Sequence, residues 1–237
     1  MDLSSLVAGT PLAHLGVGLV LGAVHACDAD HVMTVTSLSR QGPRTVRTWA
    51  YGLRWSLGHG ASVIAAGVVL ATLGLSFPLL LGAAAETLVA CVLCALGAWL
   101  LRAALRPRVE RPPRIPRVAR GDAQPGAPAR ARAVRERLGR GGVYAVGALH
   151  GLAGAAPVIA AIPFARRVDP LGAGLYLAAF SFGVVLAMLA FATVLGHANA
   201  HLARHGPRLE RALNGLVGCG ALVVGAHILL GVSLDAG

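Results

Sequence analysis

Val24-His25-Ala26-Cys27-Asp28-Ala29-Asp30-His31 stands in the middle of an apolar run that extends from Leu12 to Leu38. A run of that length crosses a hydrocarbon core of roughly 30 Å as a helix. Each carboxylate near the bilayer centre costs about 2.5–3.5 kcal/mol on insertion scales. Two aspartates and two histidines placed there must therefore face other helices and be paired, protonated or bound to a cation. Serine and threonine would hold helices together at far lower cost, so the cluster reads as a site first and as packing second.

The rest of the chain fits a membrane protein. Of its 237 residues, 56% are hydrophobic and 13% charged, with a mean hydropathy of +0.68. Soluble domains carry about 25% charged residues. Six spans are expected: Leu12–Leu38, Trp55–Leu75, Pro78–Leu105, Val143–Phe164, Gly172–Gly196 and Leu213–Leu234. The net charge of +11 comes from 21 basic residues, all arginine, and many of these lie between Arg102 and Arg140. Charge concentrated in one linker sets topology, and a nucleic-acid partner is not expected. Arg40, Arg44, Arg47 and Arg54 follow the first span, and Arg204, Arg208 and Arg211 the fifth. The positive-inside rule then places both termini outside and the odd-numbered loops in the cytoplasm of a bacterial-type inner membrane.

The expected organisation has three parts. Residues 1–105 form a first three-helix repeat, 106–141 an Arg/Pro-rich cytoplasmic linker, and 142–237 a second three-helix repeat. Gly22-Ala23-Val24-His25 matches Gly147-Ala148-Leu149-His150. Cys91 and Gly97-Ala98 fall in register with Cys219 and Gly225-Ala226. Two three-helix halves in one chain have opposite orientations, and inverted repeats of this kind place a transporter's site near the midplane. The expected fold class is thus an all-α integral membrane protein of six transmembrane helices in two inverted repeats.

Imidazole nitrogen with carboxylate oxygen suits borderline divalent ions such as Ni²⁺, Co²⁺ and Zn²⁺. At about 100° per residue, His25, Asp28 and His31 share an arc of about 120°, whereas Asp30 lies about 100° away. A straight helix cannot aim all four side chains at one ion. Either the helix is distorted here or Asp30 acts indirectly, for example by orienting an imidazole. His59, flanked by glycines, and His150, the repeat counterpart of His25, complete the candidate metal set of His25, Asp28, Asp30, His31, His59 and His150. His197, His201 and His205 stack at i, i+4, i+8, either as a metal hand-off site or as the end of an amphipathic helix. Glu86 reads as an interfacial anchor and His227 as packing.

His25-Ala26-Cys27-Asp28-Ala29-Asp30-His31 resembles the signature His-Ala-x-Asp-Ala-Asp-His of the nickel/cobalt transporter family. Ser56-Leu57-Gly58-His59-Gly60 resembles that family's second motif. His150-Gly151-Leu152-Ala153-Gly154 is similar to the fourth-span motif of its shorter UreH-like branch, associated with urease nickel supply. The larger permeases have a span before the signature helix and acidic motifs inside the second-half helices. Here the signature is already in the first span, span four has Ala155-Ala156-Pro157 and span five has no acid, so the shorter branch fits better.

The resemblance implies a secondary transporter of a divalent transition metal, nickel first and cobalt next, working by alternating access. No catalytic residues, enzyme activity or bound cofactor are expected, and the metal is cargo. No nucleotide-binding loop is present to supply an ATPase. Partners would be the metal ion, the bilayer, and a second copy of the chain or a metallochaperone. Three other readings are efflux by the same site, a thiol–disulfide electron carrier using Cys27, Cys91, Cys94 and Cys219, and a non-transporting partner that delivers metal to urease or hydrogenase maturation.

Overall fold

The computed structural model describes residues 11–41, 47–106, 141–155 and 170–235, and regular structure among them is entirely helical. Helix α1 spans Pro11–His25, α2 Ala29–Gln41, α3 Trp49–Leu73 and α4 Leu79–Leu105. Helix α5 covers 141–153. Helix α6 spans Pro170–Leu202, and a 3₁₀ turn, Ala203–His205, leads to α7, Pro207–Asp235. Most of the expected linker, the second half of the expected fourth span, and Arg166 and Arg167 lie outside the described residues.

The expected first span is not one continuous helix. The Ala26 amide still bonds the Gly22 carbonyl at 3.0 Å. Cys27 and Asp28 instead donate to Val24 and His25, three residues back, at 2.9 and 3.1 Å. The Val32 amide then bonds the Asp28 carbonyl at 3.1 Å and α2 begins. The tight turns rotate the chain between His25 and His31, which supplies the distortion that a straight helix excludes. The half-helix arrangement also aims a terminus at the site. α1 ends on His25, so its negative dipole end faces any cation there.

Among the described residues four helical stretches are long and apolar enough to cross a membrane: Trp49–Leu70, Leu79–Leu105, Gly172–Leu202 and Pro207–Leu234. Several helices outrun the expected spans because backbone hydrogen bonding continues past the point where charge ends the apolar run. α3 begins at Trp49 and includes Arg54. α3 ends at Gly74, whose φ of 65° is left-handed and whose amide bonds the Leu70 carbonyl. Gly206, at φ 98°, makes the corresponding turn before Pro207 opens α7.

The protein is apolar outside and polar inside, as lipid requires of a multi-pass membrane protein. Leu79, Leu80, Leu216, Val194 and Val223 are exposed, whereas His31, Thr34, Ser37, Ser56, His59, His150 and Ser181 are buried. With no water to drive helices together in lipid, close packing does so. α1 and α3 pack along α6, and α4 packs along α7. A side chain at Gly22 would collide with the Phe180 carbonyl, and one at Gly147 with the Trp55 carbonyl. The backbones of α1 and α6, and of α3 and α5, therefore touch directly. The core built on these crossings contains Trp55, Phe180, Val184 and Met188. Arg40, counted above only as a topology charge, ends α2 and bonds Asn214 of α7 at 2.6 Å and Asn199 of α6 at 2.8 Å.

Candidate metal site

The break after α1, the start of α2, and α3 bring His25, His31 and His59 together. Each offers one nitrogen, and these atoms all lie within 4.8 Å of one another. The ring centres are 4.5 Å apart for His25–His31, 5.4 Å for His25–His59 and 5.2 Å for His31–His59. Imidazoles sharing one ion, with metal–nitrogen bonds of about 2.0–2.1 Å, place their ring centres about 4.5–5.2 Å apart for angles between right and tetrahedral. Two of the three spacings fall in that range and His25–His59, at 5.4 Å, lies just beyond it, so the cluster has about the size of a metal site. The ion itself would be borderline and divalent, given nitrogen donors with carboxylates behind them.

The carboxylates prepare two of the rings. His25 Nδ1–H donates to Asp28 Oδ2 at 2.9 Å, and His31 Nδ1–H donates to Asp30 Oδ1 at 2.8 Å. An ionised carboxylate only accepts, so both imidazoles carry the Nδ1 proton and keep the Nε2 lone pair free. Both of those Nε2 atoms are buried without a hydrogen-bond partner. His59 goes further, since both its ring nitrogens are buried and unpartnered. A buried polar atom left unpaired costs about 1–3 kcal/mol. Three such rings, each turning one nitrogen to the same place, are what a site for a ligating cation would contain.

Asp30 thus acts through His31, the indirect role the helical wheel allowed. Asp28, placed on the same arc as His25, holds the His25 ring. Asp28, Asp30 and His31 form a second, overlapping group able to hold a metal ion. The Asp28 side chain is 56% exposed and that of His31 2%. The two groups share His31, so the donors run from an open carboxylate inward to buried imidazoles.

The structure brings His150 beside the cluster, its ring centre 5.7 Å from that of His31. Its Nδ1–H donates to the Val146 carbonyl at 2.8 Å, and its Nε2 accepts from the Thr34 hydroxyl at 3.0 Å. With both nitrogens engaged, His150 would bind an ion only by releasing Thr34. Thr34 went unremarked in the sequence reading, although it lies one turn after His31 on α2. Trp55 was also missed. Its ring lies 4.8 Å from His31 and 5.2 Å from His59, forming the apolar wall of the site.

The supporting carboxylates carry a measurable expectation. Partners of a metal-binding histidine typically contribute 10–100-fold to affinity. Asp30→Ala should weaken Ni²⁺ binding by about that factor, and Asp30→Asn by less, because its amide oxygen can still accept from His31 Nδ1. Calorimetric titration of the purified chain checks this; an unchanged affinity in Asp30→Ala would remove Asp30 from the site.

The family model for the cytochrome c biogenesis protein transmembrane region matches residues 13–226. The chain is also 26% identical over 232 residues to the urease accessory protein UreH of Bacillus sp. (strain TB-90), covering 95% of this chain and 94% of that one, a distant homologue. No solved structure matches the chain.

Proposed function

Since the chain belongs to the cytochrome c biogenesis protein transmembrane region family, a group of membrane-embedded helical proteins, we propose that it is a secondary transporter of divalent transition-metal ions, nickel first and cobalt next. The observation that carries this reading is the convergence of His25, His31 and His59, with unpartnered nitrogens, inside the helix bundle. The UreH relative, a urease accessory protein matched along nearly its whole length, favours nickel within that class. The membrane potential favours cation entry by about 2.3 kcal/mol per charge per 100 mV, so import is the direction proposed.

Alternating access would use two inverted repeats, and the glycine crossings support them. Gly22 closes on the Phe180 carbonyl, and Gly147 on the Trp55 carbonyl. Gly58 closes on the Tyr144 carbonyl, and Gly183 on the Leu19 carbonyl. One chain offset, the one that carries His25 to His150, exchanges the members of both pairs. The offset that carries Cys91 to Cys219 likewise exchanges Gly97 against Gly218 with Ala90 against Gly225. The chemistry does not share this symmetry. The offset that carries His25 to His150 takes Asp28, Asp30 and His31 to Ala153, Ala155 and Ala156. The ion would thus be held by the first half, and the second half would serve as the surface it rocks against.

The family's description gives the electron-carrier reading some support, since cytochrome c biogenesis and four cysteines suit thiol chemistry. Against it, the groups that converge in the bundle among the described residues are histidines and aspartates and include no cysteine. The deciding experiment is ⁶³Ni²⁺ uptake into proteoliposomes. Native chain should exceed His25→Ala and Asp28→Ala at least tenfold, and a variant with all four cysteines changed to serine should retain most uptake. Equal uptake by the native chain and both site variants would overturn the transport reading. No nickel uptake by the native chain, together with transmembrane thiol–disulfide exchange that is lost in the cysteine-free variant, would favour the electron carrier.

A further inference from the structure

Helix α6 carries a second set of histidines at the far end from the central site. Phe180 of α6 lies beside His25, and at 1.5 Å per residue His201 is about 32 Å further along the helix. His197, His201 and His205 are all exposed. His205 Nδ1–H donates to the His201 carbonyl at 3.1 Å, which fixes the proton on Nδ1 and leaves Nε2 as a free lone pair. The rings of His201 and His205 have their centres 5.0 Å apart, tilted by 55°. That spacing falls in the range of about 4.5–5.2 Å that one ion imposes on two imidazoles, and it matches the spacings in the central cluster. Arg204, in the same turn as His205, opposes a cation there, whereas the end of α6 favours one. α6 ends at Leu202, so its last carbonyls present the negative end of a long helix dipole there.

We infer that His201 and His205 form a second, solvent-facing site for a divalent transition-metal ion, completed by water, at the end of α6 expected to lie in the cytoplasm. The class of ion rests on the transport reading above, whereas the existence of the site rests on the His201–His205 geometry alone. An ion leaving the central site toward the cytoplasm would meet this pair at the water boundary. Two imidazoles hold an ion less completely than three, so this site would be the weaker of the two, as a release step requires.

Equilibrium dialysis of the detergent-purified full chain against Ni²⁺ alone tests this. The native chain should bind two ions. The double variant His201→Ala/His205→Ala should bind one, a twofold fall, and should keep the tighter phase. The double variant His25→Ala/His59→Leu should also bind one, the weaker. Both altered positions in the first variant are exposed, and an unchanged elution volume in size-exclusion chromatography establishes that it is folded. Two ions retained by His201→Ala/His205→Ala would overturn the second site and leave the central one standing. Two ions retained by His25→Ala/His59→Leu would overturn the central site and leave the second one standing.

Discussion

Replacing His59 by leucine is expected to abolish nickel uptake and at the same time to stabilise the metal-free protein. The two effects have one cause. His59 is fully buried with neither ring nitrogen hydrogen-bonded, and each such atom costs about 1–3 kcal/mol. Leucine fills a similar volume and has no polar atom to desolvate, so the apo protein gains that amount. For a chain of this size a change of 1 kcal/mol moves Tm by about 2–4 °C. Metal binding changes in the opposite direction. Losing a residue that only supports a ligand costs about 10–100-fold in affinity, and losing an imidazole of the central three should cost more than ~100-fold. Nickel at a hundred times its Kd should stabilise the native chain by about 2.7 kcal/mol, and that shift should vanish in His59→Leu. Thermal unfolding in detergent, with and without Ni²⁺, measures both quantities on one sample. A lower apo Tm with the nickel shift intact would make His59 a packing residue and would remove it from the site.

The second large effect is expected from a single methyl group. Gly147→Ala should sharply reduce the yield of folded protein, because its Cβ meets the carbonyl of Trp55, and backbone cannot turn aside as a side chain can. Overpacking a core by a few atoms costs about 1–3 kcal/mol, and a collision with backbone belongs at or above the upper end. The helices must move apart instead, and α3 carries His59 with it. Gly147→Ala should therefore lose nickel uptake without touching any ligand. Gly22→Ala should behave in the same way through the Phe180 carbonyl of α6. Gly16→Ala is the matched control on α1. Among the described residues nothing lies within 4 Å of its new methyl, and alanine favours a helix over glycine by about 1 kcal/mol. Yield, elution profile and Tm of the three variants test the argument. Equal behaviour of Gly147→Ala and Gly16→Ala would refute the direct backbone crossing of α3 and α5.

The opposite behaviour of two alanine substitutions shows where sequence reading stops. Gly16, Gly22 and Gly147 look alike in an apolar run. Only the crossing partner distinguishes them, and that partner lies on a helix far away in the chain. The same holds for Arg40. As one more arginine after an apolar segment it reads as a topology signal, yet in the fold it reaches Asn199 and Asn214 on two other helices. Helix ends were legible to within a few residues where glycine or proline punctuates them, as at Gly74 and Pro78. They were least legible where the helix continues into polar sequence, as at Trp49.

The sequence by itself determined that this is a multi-pass helical membrane protein with a costly polar cluster in its first apolar segment. Hydropathy and charge are properties of residue type, and they can be summed along the chain without knowing the fold. It also determined that a straight helix could not gather the cluster, since 3.6 residues per turn separates Asp30 from His25, Asp28 and His31. The tertiary structure decided how the conflict is resolved. Two 3₁₀ bonds break the helix at Cys27 and Asp28, the carboxylates turn onto Nδ1 of His25 and His31, and α3 delivers His59 to the lone pairs they leave free. It also decided that His150 stands beside the cluster with both nitrogens taken, through a threonine on another helix. Ligand geometry depends on distances across the bundle, and no spacing along the chain encodes those.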